Sequence, residues 1–292
     1  MKRLILAAAS GLALAACSPK TEPAADSSAA AAPKPVAAVK LYAIDCGRFH
    51  VKDAASFSDA HVYDGQERDL VDPCYLIRHE KGDLLWDTGI PSAAATTPPP
   101  PNPNGNTTVL AKTLETQLSE INLTPVDIEY LSFSHLHFDH TGNGNAFAGS
   151  TWIVDKDERD AMLSDEARKS DNFKAYSALE NAKTALIEGE DDYDVFGDGS
   201  AVIVQAPGHT PGHTVLLLHT ANSGNVLLAG DMWHLAEARE KRTVPTYNFD
   251  KAKTLASMDK VEALATAHNA KVIRQHVPED FASLPAFPAA LE

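Results

Sequence analysis

Four side chains able to bind a metal ion, His135, His137, Asp139 and His140, fall within six residues directly after an apolar run, Ile128–Phe133. Such a chain must end a buried strand where all four groups can turn toward a common centre, and this limits the folds open to it. In an extended segment alternate residues share a face, so positions 135, 137 and 139 point one way and Leu136 and Phe138 the other. His140 then needs a turn. Because adjacent positions point apart, Asp139 and His140 more naturally serve a second centre beside the one held by His135 and His137. Imidazole and carboxylate ligands without thiolate suit Zn²⁺, with Fe, Mn or Co as open alternatives. Three histidines in a surface loop would be the plain alternative, and the number and spacing of the four groups disfavour it.

Further strand-like runs occur at Leu41–Asp45, Cys74–Arg78, Asp83–Trp86, Thr151–Val154, Ala201–Ala206, Thr214–His219, Val226–Ala229 and Lys271–Arg274. The clearest helical pattern runs from Asp250 to His268, with Asp250 as N-cap and Leu255, Met258, Val261, Leu264 and Ala265 at helical spacing. Another is expected from about Thr108 to Ile121, and more within 155–185. Strands and helices in both halves of the chain favour layered α/β packing. Ser92 to Asn106 contains Pro98-Pro99-Pro100-Pro101, which no helix or central strand tolerates, so it is expected to be a loop, either a lid or a surface insertion.

Met1-Lys2-Arg3 precedes an apolar run from Leu4 to Ala16, shorter than the roughly 20 residues that span a bilayer, and the pattern is that of an export signal over 1–16. Leu14-Ala15-Ala16-Cys17 resembles the lipobox of bacterial lipoproteins. That resemblance implies cleavage before Cys17 and acylation of its sulfur, so that the chain meets the membrane through lipid on its periplasmic side; Ser18 resembles the pattern sorted to the outer membrane. Residues 17–39, rich in Ala, Pro, Ser and Lys, read as a tether, leaving 40–292 as the folded domain. The formal charge of −15 becomes −17 once Lys2 and Arg3 leave with the signal, which argues against nucleic acid as partner. In an oxidising compartment Cys46 and Cys74, at the edges of two strand-like runs, are either a disulfide or two separate buried thiols.

The run Ser134-His135-Leu136-His137-Phe138-Asp139-His140 resembles the HxHxDH motif of the metallo-β-lactamase superfamily. Four more segments match that family in order: Leu84-Leu85-Trp86-Asp87-Thr88-Gly89, Ala206-Pro207-Gly208-His209-Thr210-Pro211-Gly212-His213, Leu227-Leu228-Ala229-Gly230-Asp231 and Ile273-Arg274-Gln275-His276. The resemblance covers residues 41 to about 288. It implies a four-layer αββα sandwich with two divalent metals at the strand edges. His135, His137 and His209 would hold the first, Asp139, His140 and His276 the second, and Asp231 would bridge them. Spacing cannot choose between the two histidines of the third motif; the family's ligand is His209, which leaves His213 to a supporting or packing role. Asp87 would orient a histidine from behind without touching metal.

Within the superfamily the chain most resembles the N-acyl homoserine lactonases, through the Gly/Asn-rich turn Thr141–Phe147, the Gly-His-Thr-Pro-Gly-His form of the third motif and the Cys74-Tyr75-Leu76 strand. The implied reaction is attack of a metal-bridging hydroxide on a lactone carbonyl, with Asp139 carrying the proton to the leaving oxygen. A β-lactam hydrolase and a phosphotriesterase or arylesterase are the alternatives on such a site. One departure stands out. Where these lactonases commonly place a tyrosine that bonds the substrate carbonyl, this chain has His234, whose imidazole could donate the same bond or merely pack. Phe138, Trp233 and the Pro-rich loop are candidates for the apolar wall of the substrate pocket, with a place in the core as the alternative for Phe138. Acyl-chain length, native metal and oligomeric state are not legible.

Overall fold

The computed structural model describes residues 38–189 and 191–292, so the expected signal, Cys17 and most of the tether lie outside the described residues. Val39, grouped with the tether on composition, is buried, and its N–H donates to the His219 carbonyl at 3.2 Å, so the folded domain already includes it.

Seven strands, β1 (Lys40–Val51), β2 (Arg68–His79), β3 (Gly82–Trp86), β4 (Thr107–Val109), β5 (Tyr130–Ser132), β6 (Thr151–Asp155) and β7 (Thr184–Ile187), form one sheet in the order β4-β1-β2-β3-β5-β6-β7. A second sheet orders β8 (Tyr193–Asp194), β9 (Ala201–Gln205), β10 (Thr214–Thr220), β11 (Gly224–Leu228) and β12 (Lys271–Ile273) as β12-β11-β10-β9-β8. β3, β5, β6 and β7 run parallel, as do β11 and β12, and the other neighbours are antiparallel. The helices are α1 (Leu114–Glu120), α2 (Phe138–Thr141), α3 (Lys156–Met162), α4 (Phe173–Tyr176), α5 (Ala238–Lys241), α6 (Lys251–Ala267) and α7 (Pro278–Ala282).

Strand alternation builds the layers. On β10, Leu216 and Leu218 share a core with Tyr75, Ile77, Leu84 and Trp86 of the first sheet, whereas Val215 and Leu217 face the other way onto Met258, Val261 and Ala265 of α6. On the first sheet Ile44, Leu76 and Leu85 turn outward onto Leu114 and Leu118 of α1. The result is the αββα sandwich, in which each sheet buries both faces. Each fully buried side chain of this size contributes roughly 1.5–3 kcal/mol, so the pattern, repeated along every long strand, is what holds the layers in register. α6 starts where its cap predicts, with Asp250 Oδ1 accepting from Lys253 N at 3.0 Å.

The helix expected from Thr108 begins only at Leu114. Thr107-Thr108-Val109 is a β-branched run that pairs with β1 (Thr108 opposite Phe49), and the Thr113 side chain, accepting from Thr116 N at 3.1 Å, fixes the later start. β1 likewise runs beyond Asp45 to Val51, through a register shift between Asp45 and Arg48. Cys46, at that shift, is disulfide-bonded to Cys74 on β2, with Cα atoms 5.7 Å apart. For a loop of 28 residues the chain-entropy model gives about 3–4 kcal/mol. The chain also closes on itself: Leu41 N donates to Leu291 O at 2.9 Å and Leu291 N to Leu41 O at 2.8 Å. Among the described residues no helix is long and apolar enough to cross a membrane.

Candidate metal centre

The segments that follow β3, β5, β9, β11 and β12 bring Asp87, His135–His140, His209, Asp231 and His276 to one edge of the sandwich. After β5 the chain bends through residues 134–137, with His137 itself at extended dihedrals (φ −64°, ψ 156°), and α2 begins at Phe138. Asp139 is therefore on a helical turn and not on an extended strand, which carries it away from His135 and His137. Two groups result, His135, His137, His209 and Asp231, and Asp139, His140 and His276, with the ligand atoms of each group within 4.8 Å of one another. Asp231 faces both. Its Oδ2 lies 3.5 Å from His135 Nε2 and from His209 Nε2, and its Oδ1 3.0 Å from His276 Nε2 and 3.4 Å from His140 Nε2.

These contacts fit a pair of divalent cations. His137 Nδ1 is 2.8 Å from His135 Nε2 and 3.2 Å from His209 Nε2. Burial, then the nearby His140, pushes His135 well below its ordinary value, and burial with His209 holds His137 at about 4. Neutral imidazoles cannot all donate to one another, so lone pairs converge where a cation would satisfy them. In the second group, against the cost of burial, Asp87, Asp231 and Asp139 lift His140 well above its ordinary value, and Asp231 and Asp139 lift His276 to about 9. The buried His140 Nε2 and Asp231 Oδ1 have no hydrogen-bond partner among the described residues. The donors are nitrogen and oxygen throughout, the set that suits Zn²⁺.

Groups behind the histidines fix which nitrogen faces the centre. Asp87 is fully buried at φ 61°, the left-handed region that aspartate tolerates better than most residues. It accepts from Ser134 N at 2.7 Å and Ser134 Oγ at 3.0 Å, and lies 3.0 Å from His140 Nδ1. His276 Nδ1 meets Val71 O at 2.8 Å. His213 uses both nitrogens: Nδ1 donates to Ala206 O at 3.1 Å and Nε2 accepts from Asp231 N at 3.0 Å. No ring nitrogen of His213 is left for a metal, which decides between the two histidines of the third motif in favour of His209.

Glu158 was not singled out from the sequence. Buried on α3, it accepts Leu136 N at 2.6 Å and Gly212 N at 2.7 Å, so one carboxylate ties the loop of His135 and His137 to the loop of His209. Burial raises its carboxyl to about 7 despite those bonds. Gly212 has to be glycine for this approach, since a Cβ there would lie 2.1 Å from Asp155 Oδ1. The visible signal was Asp155, a cap after a strand-like run; that Glu158 faces inward from an acidic helix was not visible.

A cavity of about 310 Å³ opens over the two groups, and His234, Phe49, Phe57, Phe138 and Tyr247 are among its lining. Phe138 is 44% exposed and faces this cavity, so it does not belong to the core. Trp233 does not line it. The backbone at Trp233 is extended (φ −145°, ψ 113°), so Trp233 and His234 point to opposite sides: Trp233 is buried under α6 with the Arg239 guanidinium 5.4 Å from its ring, while His234 reaches the centre, its Nε2 3.0 Å from Asp231 Oδ2. Tyr247, from the segment before α6, packs its ring 5.8 Å from His234 and 6.0 Å from both His137 and His209. The Pro-rich loop contributes Asn102 and Asn106, and no proline, to the lining.

The model of the metallo-beta-lactamase superfamily matches residues 69–276, the span that holds both ligand groups. The chain belongs to the metallo-beta-lactamase superfamily. Within that superfamily it is 32% identical over 255 residues to an N-acyl homoserine lactonase of a Bacillus species, covering 85% of this chain and 97% of that protein. It is 29% identical over 233 residues to the N-acyl homoserine lactonase AttM of Rhizobium radiobacter, covering 77% and 88%. Its fold is similar to that of an N-acyl homoserine lactone hydrolase solved with the product N-hexanoyl-L-homoserine at its catalytic metal centre (TM-score 0.74, 29% identity, 88% of this chain and 100% of that one).

For this superfamily member, Glu158→Gln is expected to weaken metal binding by about 10- to 100-fold, the usual effect of disturbing a group behind the ligands. The two backbone N–H groups bond different oxygens of the carboxylate, and the NH₂ group that replaces one of them cannot accept. Chelator competition measures the affinity, and the melting temperature of the metal-free protein is taken alongside. Unchanged affinity with a lowered melting temperature would mean that Glu158 serves folding alone.

Proposed function

We propose that this chain is a metal-dependent hydrolase that opens the lactone ring of N-acyl homoserine lactones. The observation that carries it is the pair of ligand groups joined by Asp231 at the floor of a largely apolar cavity, in a chain similar along most of its length to lactonases. His135, His137 and His209 would hold one cation, Asp139, His140 and His276 the other, and Asp231 both; the nitrogen and oxygen donors favour Zn²⁺. Bound there, the cations supply Lewis acidity and bring the pKa of water toward 7.

The remaining chemistry falls to side chains. Water adds across the ring ester, its oxygen ending on the acyl carbon and a proton on the former ring oxygen. Asp139, whose carboxylate lies on the cavity wall 3.9 Å from the Nε2 atoms of His140 and His276, is placed to carry that proton. His234 lines the same wall and is placed to donate a hydrogen bond to the oxygen that gains charge. Asp87, Ser134 and His213 keep the ligand rings and Asp231 in orientation. Phe49, Phe57 and Phe138 give an acyl chain an apolar surface.

The purified protein is expected to hydrolyse acyl homoserine lactones in preference to a chromogenic cephalosporin or paraoxon, and to lose activity on chelation. Full activity after exhaustive metal removal, or a clear preference for either competitor, would sink the lactonase proposal. His234→Ala is expected to lower kcat by about 100- to 1,000-fold with metal content unchanged, the scale of a lost oxyanion donor, and His234→Tyr to restore part of it. An unaltered kcat in the alanine variant would leave His234 as a packing residue.

We also propose that the chain is an exported lipoprotein anchored through Cys17, on the strength of the Leu14-Ala15-Ala16-Cys17 run behind a short apolar segment. Cys17→Ser should move the protein out of the membrane fraction; unchanged fractionation would count against the anchor.

A further inference from the structure

We propose that Asn102 and Asn106, on the Pro-rich loop, bind a carbonyl oxygen in the acyl arm of the substrate; this rests on the lactonase reading of the same site. Two sets of polar groups line the cavity, His276, Asp139 and Asp231 from the ligand groups and Asn102, Asn106 and Thr108 from the Pro-rich loop and β4. Phe49 links them. Its ring is 6.3 Å from that of His276 and 6.2 Å from that of Phe138, while its backbone is paired with Thr108 of β4. A substrate whose ring ester sits over the ligand groups and whose acyl arm runs along Phe49 therefore reaches the two asparagines.

The carboxamides are already oriented. Asn102 Oδ1 accepts from Asn104 N at 2.9 Å and Asn106 N at 3.0 Å, and Asn106 Oδ1 accepts from Lys52 N at 3.0 Å. Asn102 Oδ1, accepting twice, has no lone pair left, and Asn106 Oδ1 is held by one backbone N–H, so both side chains are fixed with their NH₂ donors free. Neither Nδ2 donates to any group among the described residues. The loop that carries them is closed by Asn102 N to Asn106 O at 2.9 Å and Gly105 N to Asn102 O at 2.8 Å, and its prolines restrict the backbone further. Donors held in place on a wall that is otherwise mostly apolar select for a hydrogen-bond acceptor, and pre-ordering lowers the cost of binding one. The acyl arm of such lactones has two sources of acceptor, the amide carbonyl common to all and the 3-oxo group of some.

The test is steady-state kinetics on pairs of equal chain length, unsubstituted and 3-oxo. Asn102→Asp and Asn106→Asp keep the oxygen that the backbone uses and remove the donors. Asn102→Ser and Asn106→Ser withdraw the NH₂ group without added charge: the hydroxyl can still accept the backbone N–H, and its single O–H, on a side chain one bond shorter, does not extend to where the NH₂ group stood. Each variant is expected to lose about 2- to 12-fold in kcat/KM, the worth of one hydrogen bond, mainly through KM, with wild-type metal content and melting temperature. Equal loss on both series assigns the amide carbonyl, and loss confined to the 3-oxo series assigns that group. Unchanged kcat/KM in the serine variants on both series, with an active wild type, overturns the carbonyl contact alone. A wild type inactive on every lactone overturns the lactonase reading and this inference with it.

Discussion

The site depends first on one buried carboxylate. Asp87 stands where β3 ends, and by taking both the N–H and the hydroxyl of Ser134 it fixes the point at which the chain leaving β5 starts its ligand run. The same carboxylate faces His140 Nδ1, so the other nitrogen of that ring has to point toward Asp231. Comparable constraints act on the other rings, through Val71 O on His276 and through the Glu158 bonds to the loops that flank His135, His137 and His209. The geometry of the site is thus held, for His140 and His276, by hydrogen bonds on the far side of the ring and, for His135, His137 and His209, by bonds to their loops, in places water does not reach, where such bonds are least open to competition.

The layered architecture was legible because strand alternation and the α6 pattern report burial directly: Leu216 and Leu218 against Val215 and Leu217, and Met258 and Val261 on one helical face. The ligand run was legible because four coordinating groups in six residues have few other uses. What the sequence concealed was direction. Asp139 belongs with His140 in the second group, as the sequence suggests, but it arrives there on the helical turn that starts at Phe138 and not on extended backbone. Trp233 and His234 are adjacent and both suited to a pocket, and only the extended backbone between them decides that one enters the core and the other the cavity. Glu158 is one acidic residue among several on α3, and its inward aspect follows from the approach of Gly212, far away in sequence. Thr107–Val109 shows how the pairing partner overrides a local helical signal.

The two ligand groups differ electrostatically although both are rich in histidine. Around His135 and His137 burial and neighbouring imidazoles dominate and keep the rings neutral, whereas His140 and His276 lie among Asp87, Asp139 and Asp231 and are drawn toward the charged form.

The mutual bonds of Leu41 and Leu291 have a consequence for how the molecule is made. β1 cannot be fully seated until the last residues of the chain have arrived, and the ligand groups draw on segments from Asp87 to His276. Pairings between such distant residues form slowly and late compared with local ones. Neither half of this polypeptide holds both ligand groups, so the centre takes shape only when segments from both halves have come together.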